Sequence, residues 1–138
     1  MKPKIKINYL MVKVLFLWLF CFNYFGVVAQ KDPSSTFRNP VLGGDYPDPS
    51  ILRDGDDYYM VHSSFEYYPG LLVWHSTDLI HWQRVCHALH EYVGSVWAPD
   101  FVKYAETYYI YFPAGGTNWV VTASSPDGPW SDPIDLKL

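Results

Sequence analysis

Asp48 is the residue whose type and surroundings best suit it to catalysis. It lies between Pro47 and Pro49, and these two rings restrict the backbone on either side of it. A carboxylate held in one place can act as a general base, because it can orient a water molecule and accept its proton. An aspartate that caps a turn beside proline is also common, so the local sequence leaves a catalytic and a structural role open.

Asp100 occupies a corresponding position further along the chain. It follows Pro99, and Trp97 lies close enough in the sequence to supply an aromatic wall. Two carboxylates beside a sugar-sized pocket indicate glycoside hydrolysis, in which an inverting mechanism separates acid and base by roughly 6.5–9.5 Å. Because equivalent positions of a repeated fold often carry the same strand-start residue, Asp100 could equally be structural.

An internal duplication supplies the elements that would position these aspartates. The segment from Asp45 to Trp82 recurs in degraded form from Pro99 to Trp130, at offsets that fall from 52 to 50 to 48 residues. A period near 50 residues, filled with short aromatic strands, is typical of a propeller, in which each repeat forms one sheet of a ring. Two such units leave sheet faces uncovered, so the pattern predicts the opening of a larger toroid.

The first repeat is expected to form four antiparallel strands, and the second to form three with an irregular edge in place of the fourth. Asp54-Gly55 between two apolar runs predicts a tight hairpin, and no segment after residue 29 shows convincing helical periodicity. The expected strands of the first repeat cover residues 49–53, 58–63, 70–76 and 79–85. Those of the second repeat cover residues 101–104, 108–112 and 119–123, followed by an irregular edge at 126–133.

Residues 1–29 have the pattern of a secretory signal peptide. Three lysines among the first six residues precede a short apolar run, and Ala29 stands at the expected cleavage position before Gln30. A membrane anchor is the alternative, but a spanning helix needs about 20 apolar residues and Asn23 interrupts this run. We therefore expect export to the periplasm, the cell surface or the medium, with residues 30–38 as a linker and residues 39–138 as the domain.

The composition disfavours several classes of partner and site. Without the leader the chain carries six basic and fourteen acidic side chains, a formal net charge of −8, which disfavours nucleic acid and anionic membranes.

Only Cys86 remains after cleavage, so no internal disulfide is available. Together with His87 and His90, this cysteine gives a weak signal for a metal site. Aromatic residues make up 19% of the chain and favour a carbohydrate ligand, because their faces stack on sugar rings. Residues 54–57 lack the closing glutamate of a calcium loop and fit a hairpin better.

Five motifs, in the same order, resemble glycoside hydrolase family 43. The first is the opening Asn39-Pro40-Val41-Leu42 with Tyr46-Pro47-Asp48-Pro49-Ser50. The second, Ser63-Ser64-Phe65-Glu66-Tyr67-Tyr68-Pro69-Gly70, is similar to the branch of β-xylosidases and α-L-arabinofuranosidases. The others are residues 75–82, Val96-Trp97-Ala98-Pro99-Asp100 and Gly128-Pro129-Trp130.

The resemblance implies an all-β, five-bladed β-propeller of which the first two blades lie in this chain. It implies hydrolysis of xylose- or arabinose-containing oligosaccharides or polysaccharides with inversion at the anomeric carbon. Asp48 matches the general base, and Phe65, Trp97 and Ala98 match positions that line the pocket for the terminal sugar. Asp100 does not match the second catalytic aspartate of the family, which comes from the third blade. No cofactor is expected, although some family members hold a calcium ion at the propeller axis.

The general acid of the family has no match in this chain. That glutamate and a pKa-tuning aspartate come from later blades, and none of Glu66, Glu91 and Glu106 stands at the acid position. Loss of general acid catalysis costs about 10²–10⁴-fold in rate. We therefore expect this chain to be the N-terminal piece of an exported glycosidase, inactive by itself.

A non-catalytic carbohydrate-binding protein is the alternative that the residues leave open. It would keep the aromatic pocket without an acid, and it would need self-association to complete a ring. Five-bladed glycosidases that act on sucrose and fructans are less compatible, because they open with a tryptophan and an Asn-Asp-Pro signature. This chain has Tyr46-Pro47-Asp48-Pro49 at that place.

Overall fold

Two four-stranded antiparallel sheets make up the regular structure of residues 36–138, the part of the chain that the computed structural model describes. The first sheet contains β1 (Ser50–Asp54), β2 (Asp57–Val61), β3 (Gly70–Ser76) and β4 (Gln83–Leu89), in that order. The second contains β5 (Asp100–Tyr104), β6 (Thr107–Ala114), β7 (Thr117–Ala123) and β8 (Ile134–Asp135). The predicted signal peptide and most of the predicted linker lie outside the described residues. Within residues 36–138, no helix is long and apolar enough to cross a membrane.

The predicted Asp-Gly hairpin is confirmed as the connection between β1 and β2. Asp54 pairs with Asp57, which leaves Gly55 and Asp56 as a two-residue turn. Gly55 has a φ of 64°, in the left-handed region that glycine adopts without steric cost. The turn chemistry in the sequence thus sets the register of the first hairpin.

The predicted fourth strand at residues 79–85 is wrong, because β4 runs from Gln83 to Leu89. A polar turn occupies the residues before it. The backbone N–H groups of Ile80 and His81 each donate to Asp78 Oδ1 at 2.8 Å. These bonds hold the pKa of Asp78 well below its usual range, and the bond from the His81 backbone is the strongest cause. Side-chain acceptors therefore satisfy the backbone here in place of a strand partner.

The second sheet closes with a two-residue strand where only an irregular edge was predicted. Ile134 pairs with Val120, and Asp135 pairs with Trp119. Before this strand, Trp130 of the Gly128-Pro129-Trp130 motif packs edge-on against Phe101, with ring centroids 5.8 Å apart. Trp130 of this motif thus packs against the hydrophobic core at its end.

The hydrophobic core lies between the two sheets, where β1 runs beside β5. Alternate residues of β2 and β3 face it from the first sheet, and alternate residues of β6 face it from the second. The fully buried members include Val61, Leu71, Val73, Ile110, Phe112 and Val121. Each sheet therefore buries one face against the other, as neighbouring propeller blades do.

A polar cluster joins the sheets at the end of β1 opposite to Asp48. Lys103 Nζ donates to Asp54 Oδ2 at 2.8 Å, and the Tyr108 hydroxyl donates to the same oxygen. Lys103 Nζ also lies 4.8 Å from the centroid of the Tyr108 ring. The bond from Lys103 lowers the pKa of the Asp54 carboxyl below its ordinary value, and Asp54 in turn raises the pKa of Lys103.

Asp54→Asn is expected to lower the urea midpoint of unfolding at pH 7 by a few tenths of a molar. The folded-state pKa of Asp54 lies below its unfolded value, so its contribution is present above about pH 3.9 and is lost as the pH falls further. The difference in stability between the variant and the parent protein should therefore be smaller at pH 3 than at pH 7. Urea titrations at both pH values measure this, with Asp56→Asn in the same turn as the control. An equal difference at the two pH values would contradict the proposed linkage.

Candidate active site

Asp48 lies just before β1 and has an unusual backbone conformation. Its φ is 53°, in the left-handed region that costs about 1–3 kcal/mol for a residue other than glycine. Two hydrogen bonds from Ser63 hold the segment in place: the N–H donates to the Pro47 carbonyl at 3.0 Å, and Oγ donates to Asp48 Oδ2 at 2.7 Å. The carboxylate is therefore exposed to solvent and fixed at the same time.

Ser63 is the site residue that the sequence analysis missed as a functional contributor. It is only 2% exposed, and it follows β2 on the side of the sheet that faces the core. Its carbonyl accepts a hydrogen bond from His62 Nδ1 at 2.8 Å, which places the proton of that imidazole on Nδ1. Burial lowers the pKa of His62, so the ring stays neutral and keeps this tautomer. The available signal was its position at the start of the second family motif, two residues after β2.

Phe65 and Trp97, two pocket positions that the family resemblance implies, lie in contact and form an aromatic wall. Phe65 and Val96 exchange backbone hydrogen bonds of 2.9 and 3.0 Å, and this bridge brings the two rings together. The ring centroids lie 5.2 Å apart at an angle of 83°, an edge-to-face contact. The Trp97 side chain is 54% exposed, and the backbone N–H of Trp97 donates to the Pro113 carbonyl at 3.0 Å. A large aromatic surface is thus held open toward solvent by bonds to both sheets.

The two remaining predicted positions differ in their surroundings. Ala98 is exposed next to Trp97, in the same connection between the sheets. Asp100 accepts a hydrogen bond from Ser50 Oγ at 3.4 Å, and the same Oγ accepts one from the Phe101 N–H at 3.0 Å. Asp100 therefore has a structural partner at the junction of β1 and β5, which supports leaving it without a catalytic role.

A cavity of about 290 Å³ lies beside the Ser63 and Phe65 segment. Tyr46 packs against His62 along one wall, with ring centroids 4.9 Å apart. Among the described residues, His62 Nε2 and His87 Nδ1 are buried without a hydrogen-bond partner, and both residues line this cavity. Their free nitrogens make the cavity wall polar at two points.

The weak metal signal at residues 86–90 finds no support in the geometry. Within residues 36–138, no group of three or more His, Cys, Asp or Glu side chains could hold a metal ion. Cys86 Sγ faces the Pro126 carbonyl at 3.5 Å, and burial raises the pKa of its thiol. The described residues alone thus do not supply a calcium or transition-metal site.

Ser63→Ala is expected to release Asp48 from its left-handed conformation and to lower the free energy of unfolding by about 1 kcal/mol. The substitution removes the Oγ donor and leaves the backbone bond to Pro47. The Cα and Cβ chemical shifts of Asp48 report its backbone conformation, and urea unfolding reports the stability. Ser124→Ala, at an exposed serine after β7, is the control. Unchanged Asp48 shifts in Ser63→Ala would show that the Ser63 hydroxyl is not needed to hold the Asp48 backbone.

Comparison with known proteins identifies the family. The family model described as glycosyl hydrolases family 43 matches residues 37–138. A non-reducing end alpha-L-arabinofuranosidase of Bacteroides ovatus is 43% identical over 127 residues, 78% of this chain and 22% of that protein. A xylan 1,3-beta-xylosidase of a Vibrio species is 40% identical over 123 residues, 75% of this chain and 23% of that protein.

Solved structures agree with this assignment. The structure described as Bacteroides ovatus xyloglucan GH43B superimposes with a TM-score of 0.68 at 42% identity, over 74% of this chain and 23% of that one. The predicted all-β propeller fold, of which this chain holds the first two blades, is confirmed. The chain spans less than a quarter of the length of these relatives. It belongs to glycosyl hydrolases family 43.

Proposed function

We propose that residues 37–138 supply the general base and part of the sugar pocket of an inverting glycosidase. The relatives named as an alpha-L-arabinofuranosidase and as xylosidases support xylose- or arabinose-containing glycans as substrates. The observation that carries the proposal is the exposed carboxylate of Asp48, which lies just before β1 and accepts a hydrogen bond from Ser63 Oγ.

In this mechanism Asp48 accepts a proton from the water that attacks the anomeric carbon. The bond from Ser63 orients one carboxylate oxygen and leaves the other free for the water. Phe65 and Trp97 provide apolar surfaces for the faces of the terminal sugar, and Ala98 leaves room beside them. Protonation of the leaving oxygen needs a second carboxyl group, and Glu66, Glu91 and Glu106 are all exposed at positions that do not match it.

The 138-residue chain is therefore expected to show no turnover of nitrophenyl β-D-xylopyranoside or nitrophenyl α-L-arabinofuranoside above background. A form of the protein as long as the relatives is expected to hydrolyse at least one of them. In that form Asp48→Asn should lower kcat by about 10²–10⁴-fold, because asparagine keeps the left-handed backbone and the acceptor oxygen but cannot take a proton. The rate of nitrophenol release measures the activity of the 138-residue chain, of the longer form and of its Asp48→Asn variant.

Two results would contradict this proposal. Turnover by the 138-residue chain that is lost in Asp48→Asn would mean that these residues contain their own acid. Full activity of Asp48→Asn in the longer form would remove Asp48 as the base. Sugar binding without turnover in the longer form would instead favour a carbohydrate-binding protein. The anomer formed first, seen by proton NMR, tests inversion.

We also propose that the protein is exported. The basic start, the short apolar run and the small residues before Gln30 support cleavage after Ala29. The protein recovered from cells that produce the whole chain should begin at Gln30, as measured by N-terminal sequencing or intact mass. A mass that includes residues 1–29 would argue for retention of the segment.

A further inference from the structure

His62 is a buried side chain to which the proposed mechanism gives no task. It directly follows β2, it is 6% exposed, and it belongs to none of the five family motifs. Among the described residues, the one hydrogen bond of its ring runs from Nδ1 to the carbonyl of Ser63, and Nε2 has no partner. Because Ser63 is the residue that holds Asp48, this imidazole lies one contact away from the candidate base.

The hydrogen bond from His62 completes the fixation of the Ser63 backbone. The N–H of Ser63 donates to the Pro47 carbonyl at 3.0 Å, which fixes the peptide before it. In the following peptide, the Ser63 carbonyl accepts from His62 Nδ1 at 2.8 Å. The N–H of that same peptide belongs to Ser64 and donates to the Val96 carbonyl at 3.2 Å. Because both peptide planes beside the Ser63 Cα are held, its side chain has a fixed direction, and Oγ lies 2.7 Å from the carboxylate of the candidate base.

The ring of His62 also contacts the segment that carries the candidate base. Tyr46, two residues before Asp48, packs against the imidazole with ring centroids 4.9 Å apart. Trp74 of β3 completes an aromatic cluster, with its centroid 5.1 Å from that of Tyr46 and 6.4 Å from that of His62. A Cβ atom on Gly44 would lie 2.5 Å from the Tyr46 ring, so the Gly44 backbone lies directly against this ring. The cluster therefore sets the direction of the imidazole.

We propose that His62 is a positioning residue, which acts through Ser63 to hold the Asp48 carboxylate in the orientation of the general base. The inference rests on the proposed function and adds a residue that prepares the base without touching the substrate. The contacts with Tyr46 and Trp74 orient the imidazole, and its Nδ1–H holds the Ser63 carbonyl. A reacting group keeps a productive geometry only where a second layer of packing and hydrogen bonds supports the residues around it.

The first test uses the 138-residue chain with His62→Phe and His62→Asn. Phenylalanine keeps a flat ring beside Tyr46 but has no donor, whereas asparagine keeps an N–H donor. In His62→Phe the Cα and Cβ chemical shifts of Asp48 should move, and the Ser63 amide should exchange with solvent about fivefold faster, as the loss of one hydrogen bond allows. In His62→Asn both signals should return at least halfway to those of the parent protein. His90→Phe, at an exposed histidine directly after β4, is the control.

A second measurement needs no substitution and stays valid if a variant folds poorly. Nitrogen NMR of the parent protein at pH 7 should show the His62 proton on Nδ1. An Nδ1 without a proton would exclude the bond to Ser63 and overturn the inference, as would unchanged Asp48 and Ser63 signals in His62→Phe. A His62→Asn variant that behaves like His62→Phe would also overturn it, because the shape of the ring and not its donor would then hold the site.

In a form of the protein as long as the relatives, the same variants separate positioning from sugar binding. His62→Phe should lower kcat by about tenfold and leave KM within about twofold, because Trp97 is anchored through Val96 and Pro113. His62→Asn should recover most of the lost kcat. A raised KM with an unchanged kcat would overturn the positioning role. A parent form that hydrolyses neither nitrophenyl glycoside would instead contradict the proposed function, while the NMR of the 138-residue chain would still decide whether His62 holds Asp48.

Discussion

The geometry of the candidate site depends on the backbone pairing of one buried residue, Val96. This residue is 2% exposed and bridges Phe65 of the first sheet on one side and Ala114 of the second on the other. Three backbone hydrogen bonds join it to Ser64 and Phe65, at 2.9 to 3.2 Å. Because Trp97 is the next residue, its direction is set by the same bridges. The aromatic wall exists only while both sheets are in place.

Two residues of the candidate site have strained backbone conformations that neighbouring hydrogen bonds hold in place. Asp48 and Phe65 both have positive φ values, 53° and 48°, although neither is glycine. Such conformations persist only where neighbouring bonds determine them, and here the partners are Ser63 for Asp48 and Val96 for Phe65. Both residues are among the four that the family resemblance selected for base and pocket. Their hydrogen-bond partners therefore matter for the geometry of the candidate site.

The sequence predicted those parts of the fold that local chemistry controls. Short aromatic and apolar runs, the Asp-Gly turn and the duplicated motifs gave most strands and the hairpin. The fourth strand was misplaced because Asp78 side-chain bonds compete with strand pairing, a choice that hydrophobic pattern does not encode. The contacts of Asp54 with Lys103 and Tyr108 could not be read from sequence, since they join residues 49 and 54 positions apart.

The sequence likewise selected those site residues that local motifs contain, and not the contacts that hold them. Asp48, Phe65 and Trp97 were selected through motifs, and Ser63 belongs to one of these motifs but nothing in the sequence marks its bond to Asp48. Its importance comes from where the fold places it, within hydrogen-bond distance of the Asp48 carboxylate. A residue whose role is to hold or to make room is visible only after the chain is folded.

The Asp48 carboxylate and the aromatic wall are held by different parts of the structure, so a change that moves one does not have to move the other. Asp48 is anchored within the first sheet, by a residue fifteen positions later at the end of β2. Trp97 is anchored across the sheets, through Val96 and Pro113. A change at the interface between the sheets should therefore displace the aromatic wall and leave the Asp48 carboxylate in place. In the proposed mechanism, packing between the blades would then alter sugar affinity without disturbing the orientation of the base.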